Sequence, residues 1–209
     1  CYKSVNQCNA VIESLENNDI PGLDEDLKTR FLAESLFIRA HYFYHLVQQF
    51  GDIPMPLKPT NSVETTAHKT KVDEVWNQIV TDLEFAVENL PETYQASEFG
   101  HITKYAAMHH LSRVYLTLKR SDDDLKKALN YAEQVINSGK YSLVKSHAEL
   151  WDINNKNNSE VLFSVLYTQN AELNGDGNTA HMYFCSAYSE EHPAVKRVIE
   201  YGRPWSRER

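Results

Sequence analysis

Glycine and proline are scarce in this chain, seven of each in 209 residues, which excludes an all-β architecture punctuated by tight turns. Cysteine is scarcer still. Cys1, Cys8 and Cys185 are an odd number without C-x-x-C spacing, so neither a disulfide framework nor a zinc knuckle can be read. No apolar run approaches the ~18 residues that span a bilayer, and the opening does not read as a signal peptide. Positive charge is thin as well: Lys+Arg number 21 against 29 Asp+Glu, for a net charge of −8, and no three basic residues are consecutive. A phosphate backbone needs clustered positive charge, so nucleic acid is not an expected partner. The signatures G-x-S-x-G, G-x-x-x-x-G-K-[ST] and G-x-G-x-x-G are all missing. The sequence therefore carries no enzymatic motif and calls for no cofactor.

What is present is a globular composition, 42% hydrophobic and 24% charged, enough to build a core of ordinary size. The helix breakers are clustered at Pro21-Gly22, at Gly51, Pro54, Pro56 and Pro59, at Pro91 and Gly100, and at Gly139. Between them run 1–20, 23–50, 60–90 and 101–138, long enough for helices. Apolar residues in these stretches step by three and four. Leu32, Leu36, Ala40, Phe43, Val47 and Phe50 draw one stripe on a helix over 24–50, and Ile38, Tyr42 and Leu46 a second. Val72, Val75, Trp76, Ile79, Leu83, Val87 and Leu90 mark 71–90, and Ala107, Leu111, Val114 and Leu118 mark 103–119. Leu125, Ala128, Leu129, Ala132, Val135 and Ile136 mark 123–138. Thr70 with Asp73 reads as a capping box, Asp122 as the N-cap of the last helix, and Gly51 and Gly139 as helix stops.

These helices pair. The order Leu111-Ser112, Tyr115, Ala128, Ala132, Val135 resembles a tetratricopeptide repeat, in which small residues let neighbouring helices approach closely. The helix over 1–17 reads as half of an earlier pair whose partner is absent, so Val5, Val11, Ile12 and Leu15 are expected to be partly bare. After Gly139 the pattern changes. Ser159–Tyr167 reads as a strand, 168–192 as a long polar loop, and Trp151 as packed on the strand. The expected architecture is mainly α: helical repeats over 1–143, then a strand-and-loop region over 144–209, with the whole reading as a piece of a longer protein.

The run Phe31-Leu32-Ala33-Glu34-Ser35-Leu36-Phe37-Ile38-Arg39-Ala40-His41-Tyr42-Phe43-Tyr44-His45-Leu46-Val47, closing in Phe50-Gly51-Asp52-Ile53-Pro54, closely resembles the signature helix of the SusD/RagB family. Trp76…Asp82-Leu83, Thr103–Ala107, Val135–Leu143, Ser159–Phe163 and Gly202–Arg207 are similar to further family stretches, in the family's order. The resemblance implies a surface-exposed outer-membrane lipoprotein. It would capture oligosaccharides, or in RagB-like branches peptides, for a SusC-like TonB-dependent transporter, and have no chemistry of its own. Lipidation is not expected at Cys1, which opens an amphipathic helix. The alternative outside the family is a tetratricopeptide adaptor that grips a partner's tail.

Candidate ligand residues follow from ring chemistry. Tyr183, Tyr188 and Trp205, with Phe184 beside them, sit among polar residues, where a flat ring can stack on a sugar while amides and carboxylates reach its hydroxyls. Tyr42, Phe43, Trp76 and Tyr115 lie on apolar stripes and are expected in the core. His41 and His45 are spaced i, i+4, a geometry compatible with a metal, but no Glu completes H-E-x-x-H, and ordinary packing is the expected role. Arg39, mid-helix among apolar neighbours, needs a carboxylate such as Glu34 or Asp82.

Overall fold

A computed structural model describes residues 1–166 apart from 19, 63–65, 153 and 156; nothing beyond 166 is described. Five long helices run in sequence: α1 (Tyr2–Glu16), α2 (Glu25–Phe50), α3 (Val72–Asn89), α4 (Lys104–Leu118) and α5 (Asp122–Asn137). A short α6 (His147–Leu150) follows. Each long helix packs on the next one in the chain, so the stack is built from sequential neighbours, as in helical-repeat proteins. The chain divides into two units, Cys1–Ser164 and Val165–Arg209, and the helices all belong to the first.

The apolar stripes of α3 and α4 are buried as their spacing predicts. Val75, Ile79, Leu83, Ala107, Leu111 and Val114 are fully enclosed, and Phe37, Ala40 and Phe43 of α2 meet them in one core. The ends of two stripes depart from that pattern. Phe50 at the last turn of α2 is exposed, as are Leu129 and Ile136 of α5, the latter 73% accessible. Among the long helices, α5 packs only on α4, so it buries one face and leaves its second apolar row outside.

Helix α1 is not bare. Val5, Cys8, Ile12 and Leu15 are buried, the middle two against Leu36, and only Val11 of the expected patch is exposed. The missing partner is supplied by α2, and a polar anchor fixes the register. Asn9, almost fully buried, donates through Nδ2 to the carbonyls of Pro56 and Lys58 (2.8 and 3.2 Å) and accepts from Arg39 Nη1 at 3.1 Å.

Helix ends are held partly from a distance. Gly51 adopts φ +67°, a region open to glycine, and stops α2. Asp52 then accepts from Val72 N at 3.0 Å and pairs with Lys71 Nζ at 2.8 Å. Asp52 thus caps α3 across a bridge in which Thr70 N donates to Ile53 O. The Thr70–Asp73 capping box does not form: α3 starts after Lys71 and no side chain of its own first turn caps it. At α5 the cap is Ser121, accepting from Asp124 N, and Asp122 is the first helical residue. Between α4 and α5, Ser112 Oγ donates to Ala128 O at 2.7 Å, the close approach that small residues permit.

Past Gly139, which takes φ +64°, the described part of 159–167 is turn and coil rather than strand. It is linked to the preceding segment by Ser142 N to Ser159 O and Ser142 Oγ to Ser159 Oγ, both at 3.0 Å, and by Val144 N donating to Glu160 Oε2 at 3.0 Å. A β-rich composition with no neighbouring strand among the described residues to satisfy its backbone does not make a ladder there. Trp151 is 74% exposed and donates through Nε1 to His147 Nε2, so its ring is held by its own short turn instead of packing on a strand.

Candidate functional site

Arg39 answers the demand of a buried guanidinium in full. Its Nε and Nη2 both lie 2.8 Å from the two oxygens of Asp82, which also accepts from Gln78 Nε2 at 2.7 Å. With side chains 6% and 2% exposed, the pair is beyond the reach of a ligand. Burial pushes the Asp82 carboxyl up, and the Arg39 fork opposes that push. Arg39 therefore ties α1, α2 and α3 together, while Glu34 serves elsewhere.

His41 and His45 approach with ring centroids 4.6 Å apart, and His110 of α4 lies 5.3 Å from His41. They are packed among rings: Phe37 sits 5.6 Å and Tyr44 5.0 Å from His110. Burial, then the neighbouring His45 and Arg113, lowers His41 to about 4. Burial, then His41 and Arg113, lowers His110 to about 3. Both rings are therefore neutral at pH 7 and act as packing groups. No group of three or more His, Cys, Asp or Glu among the described residues is placed to hold a metal ion.

Where the described residues form a concave site is the end of the helical stack at which α3 stops and α4 begins. The loop 91–103 faces the segment 139–164 across a cleft of about 320 Å³, within the size that ligand pockets occupy. Its rings are Tyr94, Phe99, Tyr141 and Phe163, and its polar lining includes Glu92, Gln95, Lys140 and Asn157. These rings differ in freedom. Tyr94 is packed between the Arg30 guanidinium (5.4 Å) and the His101 ring (5.3 Å), and its hydroxyl is used by Glu34 and the Ile102 carbonyl. Tyr141 is linked through its hydroxyl to Thr103 Oγ1 at 3.1 Å. Phe163 makes edge contacts with Phe37 and His41. Phe99 is 40% exposed and is the ring best placed to accept a flat partner.

A second depression, about 380 Å³, is walled by Ala132, Val135, Ile136 and Leu143. Its lining is mostly apolar, with His109, Ser142 and Glu160 as its polar groups.

Tyr183, Tyr188 and Trp205, with Phe184, lie outside the described residues. The cleft rings escaped the sequence reading because they come from two segments roughly forty to seventy residues apart. The available signal was Glu92–Phe99, a polar stretch with two rings held between the breakers Pro91 and Gly100.

A SusD-like family model, described as "Starch-binding associating with outer membrane", matches residues 1–116. A SusD-like protein of Formosa agariphila is 30% identical over 200 residues, 93% of this chain and 37% of its own length. One of Bacteroides ovatus is 28% identical over 181 residues, 78% of this chain and 31% of its own length. Among solved structures, a SusD superfamily protein of Parabacteroides distasonis superposes with TM-score 0.74 at 26% identity, over 81% of this chain and 37% of that one. A laminarin-binding SusD-like protein gives TM-score 0.70 at 28% identity, over 80% of this chain and 36% of that one. A structure with a xylogluco-oligosaccharide gives 0.72 at 26%, over 80% and 34%. The chain spans about a third of the length of the relatives it matches.

Proposed function

Since the chain belongs to the SusD-like family, we propose that it captures oligosaccharides at the cell surface and hands them to a SusC-like TonB-dependent outer-membrane transporter. In this reading the protein is lipid-anchored in the outer membrane and binds without catalysing. No helix among the described residues is long and apolar enough to cross a membrane, which suits an anchor of another kind. The observation that carries the reading is the cleft between 91–103 and 139–164. It offers Phe99 as a stacking face, with Glu92, Gln95 and Asn157 beside it to meet hydroxyls. The laminarin-binding and xylogluco-oligosaccharide structures among its relatives support a glycan as the cargo. Tyr183, Tyr188 and Trp205 are proposed as further ligand rings in their own segment.

The test is a panel of soluble glycans and short peptides presented to the intact protein. Binding to β-glucan or xyloglucan oligosaccharides is the expected outcome. Capture of peptides with no glycan bound would replace this reading with peptide uptake.

A further inference from the structure

The wall of the cleft that carries Phe99 is a loop with little secondary structure, one turn of 3-10 helix at Ala96–Glu98. Its own backbone bonds are few: Glu98 N to Gln95 O at 2.9 Å, Phe99 N to Ala96 O at 3.4 Å, His101 N to Glu98 O at 3.3 Å, and Lys104 N to Pro91 O at 2.8 Å where the loop closes. Such a loop holds a ring in place only if something outside it does the holding.

That something is one face of α2. Arg30 and Glu34, four residues and one helical turn apart, both reach the loop. Arg30 Nη1 donates to Glu98 Oε1 at 3.0 Å, and the guanidinium lies over the rings of Phe31 and Tyr94 at 5.2 and 5.4 Å. Glu34 accepts from the Tyr94 hydroxyl at 3.0 Å and meets His101 Nδ1 at 3.0 and 3.1 Å. Phe99 thus sits between two anchored residues, Glu98 and His101, and the two residues held by Glu34, Tyr94 and His101, bracket the 3-10 turn. The Arg30 Nε is buried with no partner, so Glu98 and the flanking rings decide where the guanidinium sits. Burial, then the adjoining Glu34 charge, raises the Tyr94 phenol above its ordinary value, so it stays a hydrogen-bond donor.

Resting on the reading of the cleft as a glycan site, we infer that Arg30 and Glu34 are positioning residues, a clamp on α2 that fixes loop 91–103 and presents Phe99 to the ligand. Neither residue is among those that line the cleft. Their effect on binding runs through the loop. A preorganised loop loses less freedom when the ligand arrives, so loosening it weakens binding and speeds release.

The experiment combines two readouts on the intact protein. The first is hydrogen exchange at the amides of Glu98, Phe99 and His101. The second is affinity and dissociation rate for laminari-oligosaccharide or xylogluco-oligosaccharide. Glu34→Ala is expected to speed exchange at these amides about tenfold, the loss of roughly one hydrogen bond to a charged group. Protection in α3 and α4 stays unchanged, and the oligosaccharide leaves about tenfold faster. Glu34→Gln, which keeps an acceptor for Tyr94 and a donor for His101, restores both within about threefold. Arg30→Met repeats the Glu34→Ala result, and Arg30→Lys rescues only in part because it lacks the planar fork. Unchanged exchange in both Glu34→Ala and Arg30→Met overturns the clamp. Faster exchange with unchanged glycan release overturns the positioning role and leaves a local structural one. A wild-type protein that binds neither glycan overturns the cleft reading and the positioning role with it, while the exchange result still reports on the clamp itself.

Discussion

Single residues in this protein carry opposite loads. Arg39 and Asp82 form a buried, bidentate pair, whose net worth is small when both are present and whose halves are costly alone. Arg39→Met is expected to destabilise the fold by about 3–5 kcal/mol, because Asp82 is left charged and enclosed. The double variant Arg39→Met/Asp82→Leu should recover much of that loss, and urea denaturation of the single and double variants measures the coupling. The buried imidazoles give a pH dependence with a definite sign. His41 and His110 hold folded-state values of about 4 and about 3, below the ordinary 6.5, so the unfolded chain binds protons more readily. Stability is full above about pH 6.5 and falls as the pH drops toward those lower values. His110→Leu should flatten the fall in urea midpoint between pH 7 and pH 4.5, and an unchanged slope would contradict the assignment.

Among the elements, those read most directly from the sequence are helices whose stripe is buried on every turn. Helix α3 is the clearest, because each of its apolar residues from Val75 to Val87 meets another helix. Arg39 was readable for a related reason: a charge on an apolar stripe demands a partner, and Asp82 was one of two carboxylates within reach. Features decided by tertiary packing were not readable. The outer row of α5 is apolar but stays exposed because the helix packs on α4 alone among the long helices. The stretch 159–166 has strand-like composition and no strand beside it among the described residues. The α3 cap comes from Asp52, twenty residues upstream, so a search for a local Ser/Thr-x-x-Glu pattern selected the wrong pair. Asp52→Ala is expected to lower the thermal midpoint through the lost cap on Val72 N. Asp52→Asn, which still accepts a hydrogen bond, should cost distinctly less. Equal midpoints for wild type and Asp52→Ala would place the start of α3 under other control.

At the scale of the whole molecule, the loop 91–103, where α3 gives way to α4, forms the cleft with 139–164. Helices make the stage and loops carry the contacts, a division common to scaffolds that bind through loops. The fold was legible from periodicity and breakers, whereas the cleft was not, since its walls meet only after α4 and α5 have folded back. The measurement that bears most directly on this account is calorimetric titration of the intact protein and of its Phe99→Ala variant with an oligosaccharide that the wild type binds. Loss of one stacking ring should weaken binding by about ten- to a hundredfold, by analogy with base–aromatic stacking of about 1–3 kcal/mol, while the melting temperature stays nearly unchanged because Phe99 is exposed. A Phe99→Ala protein that binds as tightly as wild type would contradict the account and move the glycan site away from this cleft.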